Sequence, residues 1–181
     1  MIIGIIGIEG SGKTLLMNII ATYLKKYGDY MIMTNQQTYK FKDYDFEKDF
    51  LMYREKIIAE RKEGKLPKKI LLTITEIMQY LDSRESMKKG NISLGKKLLQ
   101  IRKQGFDMIY DTQLLGGADL RLRKITEFNL MPEFDERTMI LKWNQVDMSG
   151  RSLNTKSLRI TNDSFKLYDT YEDINRGKAI F

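Results

Sequence analysis

Eight residues near the start constrain this chain more than any other stretch. Gly7 to Thr14 reads GIEGSGKT. The spacing is G-x-x-x-x-G-K-[ST], the phosphate-binding loop that joins a buried strand to a helix. Both flanks fit. Ile2-Ile3-Gly4-Ile5-Ile6 is apolar enough for a strand covered on both faces, and LLMNIIATYLKKYG has helical spacing. Gly7, Gly10 and Gly12 let the backbone curl with its N–H groups pointing inward, which makes an anion cradle with the helix N-terminus. Lys13 is placed to neutralise β- and γ-phosphates, and Thr14 offers a hydroxyl to Mg²⁺. Glu9, Ser11 and Leu15 complete the segment expected to line a nucleoside triphosphate. The alternative is a chance glycine turn, which would not require the flanking strand and helix.

Composition narrows the chemistry. The 181 residues include no Cys and no His. Disulfides, thiolate catalysis and zinc fingers are thereby excluded. The metal that remains is one held by oxygen ligands and phosphates, namely Mg²⁺. No apolar run approaches the roughly 20 residues of a membrane span, and a start directly in a strand leaves no place for a signal peptide. Length and an apolar content of 42% suit a single domain over residues 1–181. The net charge of +7 favours a polyanionic partner or, alternatively, reflects a solvated surface. Clusters at 61–69 (RKEGKLPKK) and 121–124 (RLRK) suit phosphate contacts.

Periodicity predicts strands at 2–7, 30–34 (YMIMT), 69–75 (KILLTIT) and 106–111 (FDMIYD), with helices at 13–27, 46–61 and 94–104. The first helix should end near Gly28 and the third at Gly105. Residues 35–45 read as irregular, EGKLPK as a loop, and 77–90 as polar and mixed. A short basic helix is expected near 119–124, after a loop at Gly116-Gly117. Residues 139–146 alternate apolar and polar, as do 158–168 with a turn at Asn162-Asp163. These predict antiparallel strands at a sheet edge. The order gives an α/β fold with a central parallel sheet flanked by helices and C-terminal antiparallel strands.

Loops of this kind work with an acidic pair at the end of a buried strand. The fitting strand is Ile70-Leu71-Leu72-Thr73-Ile74-Thr75-Glu76. Glu76 stands where the water-activating carboxylate belongs, unless it is simply a solvated residue after a strand. Thr75 stands where a metal-shell Asp is expected. A hydroxyl can hydrogen-bond a metal-bound water but brings no charge. Either hydrolysis is slow, or Asp82, Asp111 or Glu9 compensates. If Thr75 faces the metal, Thr75→Asp should raise turnover. If it is packed elsewhere, another carboxylate completes the shell, with Asp111 the first candidate.

The segment RKQGFDMIYDTQLLGGADLRLRKITE couples Arg102-Lys103 and Gly105 to a strand ending Asp111-Thr112-Gln113, followed by Asp119-Leu120-Arg121-Leu122-Arg123. It resembles the FtsK–HerA class of P-loop motor ATPases. Within that class it is similar to the genome-packaging ATPases of membrane-containing viruses and the Zot-like ATPases of filamentous phages. MTNQ at 33–36 and YDTYE at 168–172 are similar to family features as well. The resemblance implies a RecA/FtsK-like P-loop NTPase using ATP and Mg²⁺. It also implies a homo-oligomeric ring, of which a hexamer is the expected form, with double-stranded DNA as substrate. Capsid or membrane-vertex proteins would be further partners. The setting would be the host cytoplasm, with virion association as a second possibility.

Gln113, at the end of a strand beside the loop strand, is placed to sense the γ-phosphate or orient water; its other reading is an ordinary strand-end turn. The resemblance also implies that an arginine of one subunit completes the next subunit's site. Arg121 and Arg123 are the candidates, with Arg84 and Arg102 in reserve, and a basic surface face is the alternative for each. Four function classes follow: a packaging translocase, a phage-assembly ATPase, a small P-loop nucleotide kinase, and a nucleotide-dependent switch. RLRK could mimic a kinase lid, but the TQ strand and C-terminal hairpin do not fit one.

Overall fold

Strands that are apolar at nearly every position must be covered on both faces, and the fold does this with two helical layers. The computed structural model describes residues 1–37, 39–65, 69–80, 100–114, 116 and 119–167. The strands are β1 (Ile2–Ile6), β2 (Tyr30–Thr34), β3 (Tyr44–Asp45), β4 (Lys69–Ile74), β5 (Phe106–Thr112), β6 (Phe128–Asp135), β7 (Ile140–Val146) and β8 (Ser152–Arg159). They form one sheet in the order β3-β2-β4-β5-β1-β6-β7-β8. The pairs from β3 to β6 are all parallel, while β7 and β8 join antiparallel. The helices are α1 (Lys13–Gly28), α2 (Phe46–Lys62), α3 (Leu120–Ile125) and the single-turn α4 (Asn162–Phe165).

Alternation along each strand divides the core. Ile3, Ile5, Leu71 and Ile109 pack with Leu15, Leu16, Met17 and Ala21 of α1. Ile2, Ile70, Leu72, Phe106 and Met108 face the other way, against Phe46, Phe50, Tyr53 and Ile57 of α2 and Leu122 of α3. Full burial of each such side chain is worth about 1.5–3 kcal/mol. These layers therefore hold α1, and the loop that feeds it, in a fixed place. Gly4 is required where β1 runs between its neighbours. A Cβ there would lie 2.3 Å from Asn129 Oδ1 and 3.0 Å from the Tyr110 hydroxyl.

The parallel centre and antiparallel edge match the sequence expectation, with local differences. Phe128–Asp135 is a strand although Asn129, Pro132 and Glu133 break its pattern. Pro132 lies beyond Leu130, where pairing with β1 stops, so the strand has an open side for a residue without an N–H. The last strand is Ser152–Arg159 rather than 158–168, and Asn162–Phe165 is helical. Every residue of β8 is exposed, so no burial pattern marks it in the sequence. Two residues of the stretch read as irregular, Tyr44 and Asp45, pair with the end of β2. Of the expected helix at 94–104, residues 94–99 lie outside the described residues. Its end is a 3₁₀ turn at Arg102–Gln104, followed by Gly105 at φ 86°.

Candidate functional site

β1 ends at Ile6, and the loop after it turns at the carboxyl edge of the parallel strands, where ligands of open α/β sheets bind. The Gly7 N–H donates to the Thr112 carbonyl at 3.3 Å, which ties the loop to the end of β5. Gly10 at φ 75° and Gly12 at φ 86° take the left-handed conformations that reverse the chain. A Cβ on Gly7 would lie 2.5 Å from Ser11 Oγ, and one on Gly12 would press on Leu141 Cδ1 and Phe134 Cβ at 2.9 and 3.0 Å. The hairpin strands β6 and β7 thus back the loop from behind. Gly12 is the N-cap of α1, whose first turn carries no acidic residue and whose last turn carries Lys25 and Lys26. The acid-free first turn leaves the positive end of the helix dipole for an anion, while the lysines complement its negative end.

The loop side chains fall into distinct environments. Ile8 and Glu9 are exposed. Lys13 Nζ donates to the Ile8 carbonyl at 2.9 Å, folded over its own loop. Ser11 Oγ is buried without a hydrogen-bond partner. Leu15 is buried in the core, so only its backbone N–H could serve a ligand. An orphan hydroxyl, two left-handed glycines and an uncapped helix start make a cradle that fits a phosphate chain. Among the described residues no group of three or more acidic side chains could hold a metal alone. A cation here would share its shell with phosphate oxygens, with Thr14 as the loop's hydroxyl ligand.

The acidic side of the site departs from the sequence expectation. β5 lies between β4 and β1, so β4 reaches the loop only across the end of β5. Ile74 pairs with Tyr110, and Thr75 and Asp111 follow one step on. Thr75 is 2% exposed, and its hydroxyl donates to Asn35 Oδ1 at 3.2 Å. Its N–H donates to the same oxygen, and Asn35 Nδ2 returns a bond to its carbonyl, both at 3.0 Å. Thr75 therefore stitches the end of β4 to the residue after β2, and its hydroxyl proton is directed at Asn35.

Asp111 is instead the carboxylate at the loop. It is 2% exposed, and its Oδ1 accepts the Glu76 N–H at 2.6 Å. Burial pushes its carboxyl up to about 6, against the opposing pull of the Glu76 N–H, the Lys13 ammonium and a hydrogen bond from the Thr14 side chain. Asp111 therefore binds the backbone of Glu76, two residues past the end of β4, within the field of the loop's Lys13. Glu76 itself is exposed, with backbone at φ 51° and ψ 53°, an unusual conformation for a residue with a side chain. Gln79 Nε2 donates to its Oε2.

The remaining candidates are placed apart from this cluster. Gln113 follows β5 directly and is exposed. Leu122 anchors α3 on the face opposite α1. Asp119, 1% exposed, caps α3 by accepting the Arg121 N–H at 2.8 Å. It also accepts from Arg121 Nε at 2.9 Å and Nη2 at 2.6 Å. The Arg121 guanidinium holds the Asp119 carboxyl below its ordinary value, and Arg121 is raised in turn. Arg123 is half-buried, near enough to Tyr110 to lower its hydroxyl's pKa against the larger upward push of burial. Arg102 begins the 3₁₀ turn before β5. Asp82, Arg84 and the 168–172 stretch lie outside the described residues. Sequence reasoning missed Asn35 as the partner of Thr75; MTNQ flagged the residue but not its contact.

Fold and loop together define a P-loop NTPase, with β5 inserted between the loop strand and the strand bearing Glu76. Among solved structures, the chain is similar to the N-terminal domain of zonular occludens toxin from Neisseria meningitidis. Identity is 17% and the TM-score 0.61, covering 93% of this chain and 98% of that one. It is similar to the genome packaging NTPase B204 from Sulfolobus turreted icosahedral virus 2, solved with ATP-gammaS, at 12% identity and a TM-score of 0.56. That match covers 86% of this chain and 95% of that one. The DNA-packaging ATPase B204 from Sulfolobus turreted icosahedral virus matches at 16% identity and a TM-score of 0.53, over 86% and 95% of the two chains. No protein-family profile matches the chain, and no curated protein sequence matches it. Among the described residues no helix is long and apolar enough to cross a membrane.

Proposed function

We propose that this protein is an ATPase whose ring-shaped assembly moves double-stranded DNA, with viral genome packaging as the setting. The observation that carries the reading is the glycine cradle with Lys13 and Thr14 at the same sheet edge as Asp111, whose Oδ1 holds the Glu76 N–H. The cradle N–H groups and Lys13 bind the phosphates. Bound Mg²⁺ would supply charge neutralisation between the β- and γ-phosphates. Glu76 takes the proton of the attacking water, and its left-handed backbone, braced by Asp111, sets where the carboxylate stands. Gln113, just past the end of the strand next to β1, orients that water or senses the γ-phosphate. Arg123 acts on the site of the next subunit, since α3 is anchored on the sheet face opposite the loop helix.

The fold shared with a genome packaging NTPase supports the packaging setting, and the net charge of +7 suits contacts to a DNA backbone. A second reading, ATP-driven phage assembly, is favoured by the near-complete overlay on the zonular occludens toxin domain. The test is ATP turnover with and without duplex DNA, read beside mass in solution. Turnover stimulated by DNA in a ring-sized species is expected. Turnover that requires a small phosphate acceptor would identify a kinase, and tight binding without turnover would identify a switch.

A further inference from the structure

Thr75 leaves the strand that bears Glu76 without a metal-shell carboxylate, while a neighbouring strand carries one in reach of the loop. Three observations converge on it. First, the Thr75 N–H, carbonyl and hydroxyl all bond to Asn35, the residue after β2, on the side of β4 away from the loop. Second, Asp111 lies on β5, whose register places it beside Ile5, two residues before Gly7. Third, the Asp111 Oδ1 holds the Glu76 N–H at 2.6 Å, and the carboxyl lies within the field of Lys13.

We infer that Asp111 is the acidic residue that orients the water shell of the nucleotide's Mg²⁺, so that this duty has moved from the end of β4 to the end of β5. The inference rests on the nucleotide-binding reading above. The move is geometrically economical. β5 is the direct neighbour of β1, so a carboxylate there is one strand nearer the loop than residue 75. The Glu76 N–H bond makes Asp111 do a second task, since the same carboxylate that faces the cation also sets the backbone of the proposed base. Loss of charge at residue 111 should weaken the metal; loss of the Thr75 hydroxyl should loosen only the β2–β4 stitch.

The test is titration of a fluorescent ATP analogue in EDTA and across a Mg²⁺ series, for wild type, Asp111→Asn and Thr75→Ala. Asparagine keeps an Oδ1 to accept the Glu76 N–H and removes only the charge. In EDTA, Asp111→Asn should bind within about twofold of wild type, because the cradle is intact. Its half-saturating Mg²⁺ should rise about tenfold, since charge-assisted hydrogen bonds are roughly twice as strong as neutral ones. Thr75→Ala should shift the Mg²⁺ requirement far less. Unchanged Mg²⁺ dependence in Asp111→Asn, or a larger shift in Thr75→Ala, overturns the inference while leaving nucleotide binding intact. Wild-type protein that binds no analogue in either condition overturns the nucleotide reading beneath it. If Asp111→Asn does not fold, wild type decides the matter. With aspartate carboxyl carbons labelled, Mn²⁺ and nucleotide should broaden the Asp111 signal more than any other aspartate, and broadening centred on another aspartate refutes the assignment.

Discussion

Replacing Thr75 by Asp should destabilise the protein rather than improve its metal site. The sequence alone favours a gain, because an Asp is what the position lacks. The structure sets the new carboxylate in a 2%-exposed site, pointing at Asn35 Oδ1, an acceptor. Rotating the Asn35 amide offers no escape, because its Nδ2 already serves the Thr75 carbonyl and the Tyr80 hydroxyl. The Asp111 carboxylate is the next residue across on β5. The cheapest solution for the new group is to stay protonated, so that its O–H donates to Asn35 as the threonine does. Each unit by which pH exceeds an ordinary Asp value near 3.9 then costs about 1.36 kcal/mol, an upper bound of about 4 kcal/mol at pH 7 and about 1.5 kcal/mol at pH 5. The sign follows from a folded-state pKa raised above the unfolded one: the deficit is absent below pH 4 and grows as pH rises. At neutral pH the bound corresponds to a midpoint fall of about 8–16 °C for a chain of this size. Thermal melts by circular dichroism at both pH values, with Thr75→Val as the uncharged control, measure it. The control should lose about 1 kcal/mol for its hydrogen bond, equally at both pH values. A Thr75→Asp protein as stable as wild type at pH 7, or a deficit identical at pH 5 and 7, refutes the reasoning.

Four further outcomes follow from the same geometry. Lys13→Ala should abolish nucleotide binding in calorimetry, since the β- and γ-phosphates lose their cation. Glu76→Gln should bind nucleotide as wild type does and turn over at least about a hundredfold more slowly, because only proton abstraction is removed. Asp119→Ala removes the α3 cap and should cost about 1–2 kcal/mol in urea unfolding, while freeing Arg121 from its carboxylate. Arg123→Ala should bind ATP normally and hydrolyse it poorly. Mixing it with Lys13→Ala should restore measurable turnover if the arginine acts across subunits, where such a group is worth roughly 10³–10⁵ in rate. No rescue at any mixing ratio would remove Arg123 from the neighbouring site.

What the sequence determined by itself is local. The loop at 7–14 is legible because its glycines, lysine and threonine do their work within one turn of chain. The buried strands at 2–6, 30–34, 69–74 and 106–112 are legible because a short run that is mostly apolar, without alternation, states that both faces are covered. Such a run does not state which strand lies alongside. The insertion of β5 between β1 and β4, the bonding of Thr75 to Asn35 forty residues away, and the meeting of Asp111 with Glu76 all depend on register between distant segments. β6 was hidden for the same reason. Asn129 and Pro132 interrupt its pattern, and its place follows from partners on both sides: β1 for its first residues and β7 along its length. Hydrophobic spacing records burial. The partner of a buried polar group is chosen by strand order: the sequence shows a threonine where an aspartate is expected and offers Asp111 among several substitutes, and only the tertiary structure sets Thr75 against Asn35 and Asp111 against the Glu76 backbone.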